Sequence, residues 1–197
     1  MKSILNTVLV LIFAAGVLAA AEEQKEYTLA QSFTLKDVKG VEVTLDSLLA
    51  IGPVYMECWD LPCVNCIAEL DALMPVYDTL KARGLQIIAL SVDKPSDEAR
   101  VKAFVKSKKW PYYTLLDQEK EVMKAYGIII KPTAYLINMK GEIVYTHIGY
   151  KKGDEERIKE EFLKWLPPPD SSVSSGSHLR NSALIRCSSP FLYPMWV

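Results

Sequence analysis

The sequence predicts an α/β domain of three layers, with a central mixed sheet, helices on both faces and a β-hairpin ahead of it. Three observations carry this. Leu85 to Val92, LQIIALSV, is continuously apolar, as strands covered on both faces are. Between it and an earlier apolar run, Val54 to Met56, apolar residues recur at helical spacing, which makes a strand–helix–strand crossover. Two later strand runs, Pro132 to Ile137 and Glu142 to His147, are joined by the turn Asn138-Met139-Lys140-Gly141.

Taken in order, the chain opens with residues 1–21, which carry one charge, Lys2, and an unbroken apolar run from Val8 to Ala20. Small residues at Val17-Leu18-Ala19 and Ala19-Ala20-Ala21 complete the form of a secretory signal peptide. Ile4 to Ala21 is also just long enough to be an uncleaved membrane anchor. Either outcome puts the domain outside the cytoplasm, periplasmic or secreted, where disulfides persist. Residues 22–30 read as a lead-in. Ser32 to Leu35 and Val41 to Leu45 flank Lys39-Gly40 as a hairpin, and Asp46 is placed to cap a short helix through Leu49.

The central strand follows Gly52-Pro53, with a loop from Trp59 to Pro62. A helix then runs from Cys63 to Arg83 and stops at Gly84, with Pro75 expected to kink it. After Leu85 to Val92, Ser96 or Asp97 caps a second helix to Lys108, with Ala99, Val101, Ala103, Phe104 and Val105 as its apolar surface. Tyr112 to Leu116 is a short strand, and Glu119 to Tyr126 a short helix ended by Gly127. The final helix, Asp154 to Leu166, turns Ile158, Phe162, Trp165 and Leu166 inward, and Pro167-Pro168-Pro169 ends it. Residues 167–197 are rich in Pro and Ser and read as a disordered tail, in which Cys187 has no assigned role.

With 197 residues, half of them hydrophobic, the chain can build one real core. Its 23 basic and 24 acidic residues leave no field for nucleic acid. Four cysteines are too few to scaffold a domain, which frees thiols for chemistry.

Those thiols are Cys63 and Cys66 in Cys63-Val64-Asn65-Cys66, set between a strand and a helix. That is the arrangement of a dithiol redox site. The attacking species is thiolate, and free N–H groups and the positive helix end at Cys63 stabilise it. Cys66, three residues on, faces back toward Cys63 and can resolve a mixed disulfide. Two other readings stand beside this one. A zinc half-site would need a second pair, with only Cys58, Cys187, His147 and His178 to supply it. A purely structural disulfide is the other.

Taken together, ECWDLPCVNC and the later Lys131-Pro132-Thr133 resemble the thioredoxin fold. The leader, the N-terminal hairpin and the strand–helix unit ahead of WPYYTLLD resemble the TlpA/ResA group of extracytoplasmic thiol-disulfide oxidoreductases, a redoxin or AhpC/TSA-like family. The similarity spans residues 31–166, the thioredoxin-like domain. It implies that Pro132 is the family's cis-proline, beside the dithiol, and that its neighbours Lys131 and Thr133 contact an extended substrate by strand addition. Glu69 matches an acid that TlpA/ResA-type proteins carry at the dithiol, and Glu57 the buried acid of thioredoxins. Either would manage the proton as Cys66 attacks. Trp59 is expected to pack at the site as one of the substrate-contacting residues, and Pro62 to border the substrate. Pro62 stands where the family has an aromatic residue, and Lys131 is charged where small or apolar residues are common. The Lys131 ammonium is expected near Cys63, where it would stabilise the thiolate.

The resulting expectation is a monomeric, cofactor-free enzyme that reduces disulfides of extracytoplasmic proteins and draws electrons from a membrane or extracytoplasmic donor. The family suggests apocytochrome c as a client. A membrane association is expected only if the leader stays uncut. Two alternatives remain. A peroxiredoxin-like peroxidase requires Pro-x-x-x-Thr/Ser-x-x-Cys, which none of Cys58, Cys63 and Cys66 satisfies. A copper-binding assembly chaperone uses Cys-x-x-x-Cys and a distant His, for which His147 is the candidate.

Overall fold

The computed structural model describes residues 26–168. The expected leader, the first part of the lead-in and residues 169–197 of the expected tail lie outside the described residues.

Among the described residues, eight strands and five α-helices follow one another: β1 (Thr28–Leu29), β2 (Thr34–Lys36), β3 (Glu42–Thr44), α1 (Leu45–Leu49), β4 (Val54–Trp59), α2 (Val64–Leu80), β5 (Gln86–Ser91), α3 (Glu98–Lys108), β6 (Tyr113–Leu116), α4 (Glu121–Ala125), β7 (Thr133–Ile137), β8 (Glu142–Ile148) and α5 (Asp154–Trp165). Six strands form one sheet in the order β1-β8-β7-β4-β5-β6, and β2 and β3 form a separate hairpin. β4, β5 and β6 run parallel, while β7 is antiparallel to β4 and β8 to β7. The expected mixed sheet, crossover and N-terminal hairpin are all present.

Strand alternation divides the core in two. Tyr55 and Trp59 of β4 pack with Leu70, Leu73, Ile158 and Phe162 under α2 and α5. Val54 and Met56 point the other way, against Leu45, Leu48, Val122 and the hairpin residue Val43. Both faces are therefore covered, and every residue of β4 and β5 is buried.

Several local expectations are corrected. β4 does not give way to loop at Trp59: it continues through that residue, which pairs with Ser91 of β5. The α1 cap is Thr44, whose Oγ1 accepts from Ser47 N at 3.1 Å, whereas the Asp46 carboxylate accepts from Ser32 Oγ. Neither Ser96 nor Asp97 caps α3 through its side chain: residues 95–97 form a 3-10 turn, and the Asp97 carboxylate takes Arg100 instead. On α3, Val101 and Val105 are buried while Ala99 and Ala103 are exposed. β1, placed in the lead-in by sequence, is an edge strand paired with β8. Two residues are too short to show a period.

The start of β4 depends on a close backbone approach. Gly84, in a left-handed conformation at φ 99°, ends the turn after α2. It lies so near Gly52 that a Cβ on Gly52 would sit 2.2 Å from the Gly84 carbonyl oxygen. Gly52→Ala must therefore push backbone against backbone. We expect it to cost about 1–3 kcal/mol, read as a lowered urea midpoint with an unchanged slope.

Candidate active site

β4 ends pointing at the dithiol, and the chain between β4 and α2 is tied down. Leu61 N donates to both Asp93 oxygens at 3.1 and 3.3 Å, and Cys63 N donates to the Asp60 carbonyl at 3.0 Å. Asp60 also forms a salt bridge with Lys131. Cys63 is thereby held as the N-cap of α2, with its Sγ 3.3 Å from Cys66 N. No acidic residue lies in the first turn of α2 to offset the positive end of the helix at Cys63.

Cys63 and Cys66 are joined by a disulfide, S–S 2.03 Å. The two sulfurs differ in access. Cys66 is fully buried, while Cys63 is half-buried beside exposed Pro62 and Val64. An incoming sulfur can therefore meet only Cys63. Cys66 Sγ lies 3.7 Å from the Cys58 carbonyl oxygen, which a Cys66 thiol would have as acceptor. Cys58 itself sits on the opposite face of β4, and burial pushes its thiol up to about 12.

Beneath α2 lie two acids. Glu57 falls between Tyr55 and Trp59 on the same side of β4. Its register partners are Ala89 on β5 and Ala134 on β7, small residues that leave its carboxyl room. It is fully buried and neither oxygen has a hydrogen bond among the described residues. Glu69, one turn beyond Cys66 on α2, is also fully buried, and its Oε1 accepts from the Tyr55 hydroxyl at 2.6 Å. Burial drives both carboxyls above the ordinary range. Glu57 is raised well above it by burial and by the charge of Glu69. Glu69 is raised to about 7 by burial, against the lowering effect of the Tyr55 hydrogen bond.

The remaining predicted site residues fall into two groups. The Lys131–Pro132 peptide is cis, and the Pro132 carbonyl accepts from Gly149 N at 2.8 Å. Two expected substrate contacts are corrected. Trp59 is fully buried, edge-on to Trp110 at 5.0 Å between ring centres, so it supports the floor of the site and meets no substrate. Thr133 is buried too, and its hydroxyl donates to the Ile130 carbonyl at 2.7 Å, so it shapes the loop before Pro132. Lys131 is spoken for by Asp60, a partner that sequence reading does not name.

Sequence reasoning also missed Tyr55 and His147. Tyr55 reads only as a core aromatic. His147, considered as a copper ligand, is buried on β8 with its Nε2 3.8 Å from Glu69 Oε2 and 3.8 Å from Asp154 Oδ2. Its position follows from register: His147 pairs with Ala134, which pairs with Glu57. That row exists only once the sheet is assembled.

Residues 28–146 match the AhpC/TSA family. The chain belongs to that family. This AhpC/TSA protein is 35% identical to thiol-disulfide oxidoreductase ResA of Halalkalibacterium halodurans over 156 residues, 79% of this chain and 82% of the relative. ResA of Bacillus subtilis is 29% identical over 170 residues, 83% and 92% of the two chains. The crystal structure of StoA from Bacillus subtilis matches with a TM-score of 0.57 at 28% identity, over 67% of this chain and 96% of StoA. The AhpC/TSA protein described here is thus a thiol-disulfide oxidoreductase of thioredoxin-like fold.

The two acids make its stability depend on pH. A carboxyl whose folded value is raised holds its proton in the folded state after the unfolded chain, at about 4.5, has released it. Its contribution is complete below that value and is lost as pH rises through about 7. Glu69 by itself should cost the oxidised protein on the order of 2–3 kcal/mol between pH 5 and pH 8. Glu69→Gln should remove that share of the slope, and leave the part due to Glu57, in urea titrations repeated across the range.

Proposed function

We propose that this oxidoreductase works as a reductant of extracytoplasmic protein disulfides, with Cys63 as the attacking sulfur and Cys66 as the resolving one. The unequal access of the two sulfurs above a pair of buried acids carries this reading. Cys63 thiolate attacks a client disulfide, and the first client sulfur leaves. Cys66 loses its proton to a carboxylate and attacks Cys63, which releases the second client sulfur and closes the enzyme disulfide. Glu69, whose proton affinity lies near neutrality, is the better acceptor. Glu57 shares the enclosure, and the charge of an ionised Glu69 raises its proton affinity further.

A folded or unfolded polypeptide also needs a surface to rest on. Val64, Ile129, Ile130 and Ile148 are exposed by 76%, 89%, 61% and 63%, and each adjoins a site element: Cys63, the Pro132 loop, or the strand partner of Thr133. Such an apolar rim suits an unfolded client segment. The leader-like residues 1–21 support delivery outside the cytoplasm, and the resemblance to TlpA/ResA proteins makes the haem-attachment cysteines of apocytochrome c the first client to test. Electrons to restore the dithiol would come from a membrane or extracytoplasmic donor.

Trapping tests the whole reading. Reduced Cys66→Ser should accumulate mixed disulfides through Cys63, and mass spectrometry should find extracytoplasmic proteins in them. Cys63→Ser should accumulate none. Equal trapping by both variants would reject the assignment of roles.

Lys131 is proposed to favour the Cys63 thiolate from its place on Asp60, at the loop that positions Cys63. In Lys131→Met the Cys63 thiol should titrate higher, followed by the rate of alkylation against pH. An unchanged midpoint rejects a role for that ammonium.

A further inference from the structure

Glu69 has only one of its oxygens in a hydrogen bond. Oε1 is held by Tyr55, whereas Oε2 is buried and has no hydrogen bond among the described residues. It faces a second buried atom in the same condition, His147 Nε2, 3.8 Å away. Asp154 Oδ2, from the first residue of α5, is also 3.8 Å from that nitrogen. Three elements, α2 and the consecutive β8 and α5, bring one imidazole nitrogen between two carboxyls. One carboxyl is enclosed and the other is 24% exposed.

The far side of the ring selects its tautomer. Arg157 Nη2 lies 3.4 Å and the Tyr145 hydroxyl 3.5 Å from His147 Nδ1. A guanidinium only donates, so Nδ1 keeps its lone pair and the ring proton resides on Nε2, toward the carboxyls. Burial holds the ring neutral and Arg157 adds to this, against the pull of Asp154.

On this geometry we propose that His147 is a positioning residue for Glu69: its Nε2–H closes onto Oε2 when that carboxyl ionises. The distance to be closed, from 3.8 Å to a hydrogen bond, is within a small side-chain rotation. Ionised Glu69 would then have a donor on each oxygen, Tyr55 on Oε1 and His147 on Oε2. The other groups facing it work the opposite way or are neutral. Asp154 from α5 brings negative charge, while Glu57 from β4, itself raised by burial and by the Glu69 charge, and Tyr145 from β8 and Tyr150 from the following loop, raised above their ordinary value chiefly by burial, keep their protons. Without His147 the carboxylate would be left with one donor and two carboxyl neighbours.

The inference rests on the reading of Glu69 as acceptor for the resolving thiol. In that step the Cys66 S–H bond breaks and its proton passes to Glu69. The thiolate attacks Cys63, the client's second sulfur leaves as thiolate and is protonated by solvent, and two electrons pass from the dithiol to the client. His147 keeps its own proton throughout.

The test uses the full chain and two readouts. The carbon-13 signal of the Glu69 carboxyl reports its titration in the oxidised protein. The release of thionitrobenzoate from a mixed disulfide on Cys63 reports the resolving step against pH. His147→Phe removes the donor, so both midpoints should rise by about one pH unit, a tenfold change in proton affinity. His147→Gln, whose amide N–H takes the place of Nε2–H, should restore them. Asp154→Asn, which removes a negative charge, should move the Glu69 midpoint down. Unmoved Glu69 titration in His147→Phe, or a Gln variant that behaves like Phe, overturns the proposal.

Movement of Glu69 without movement of the resolving profile upholds the His147 contact and overturns Glu69 as acceptor instead. Should the Phe variant fail to fold, nitrogen-15 shifts of wild-type His147 decide. The Nε2–H tautomer, with shifts that follow the Glu69 midpoint, supports the proposal; an Nδ1–H ring or shifts blind to Glu69 overturns it.

Discussion

Two carboxyls, Glu57 and Glu69, share one apolar enclosure between the sheet and α2. Charging either is costly there, and charging both is costlier, because burial removes water and each ion repels the other. The site is built around that cost. Ala89 and Ala134 leave Glu57 space without offering it a hydrogen bond, and burial together with the Glu69 charge raises its carboxyl well above the ordinary range. Tyr55 offers Glu69 a donor, which makes Glu69 the easier of the two to ionise. Similar side chains thus acquire different proton affinities from their neighbours alone.

The same enclosure accounts for the asymmetry of the dithiol. α2 must lie flat on the sheet to bury Leu70, Leu73 and Glu69, and this drives Cys66 into the interior with them. Cys63 is spared because it precedes the first helical turn, where the chain is rising from β4. Its helix-capping place and its accessibility are one fact. The loop that delivers it is held from two sides, by Asp93 after β5 and by Lys131 ahead of β7. The catalytic cysteines are therefore fixed relative to the sheet by ion pairing and backbone donors rather than by their own disulfide alone.

Much of this was legible in order. The Cys63 and Cys66 spacing, the strand before it and the apolar helix after it show a dithiol at a helix start, and Pro132 was recognisable from its place at a late strand. Glu57 and Glu69 could be picked out as acids near the thiols through the family resemblance, Glu57 as a buried one. Trp59 and Thr133 were read as substrate contacts because they adjoin the motif in sequence. Adjacency does not set direction: Trp59 points into the core by strand alternation, and the Thr133 hydroxyl turns back to its own loop.

What the sequence determined by itself is local: which segments are strands and helices, where the thiols sit on the helix, and that the sheet is covered on both sides. These depend on periods of two or 3.6 residues and on caps, which a single segment carries within itself. What only the tertiary structure decided is which side chains meet beneath the dithiol. Tyr55, Glu69, His147 and Asp154 come from four elements spread over a hundred residues of chain. Their approach depends on strand register and on how α2 and α5 settle on the sheet, and no periodicity within any one segment encodes that. The proton chemistry of the site resides in those contacts.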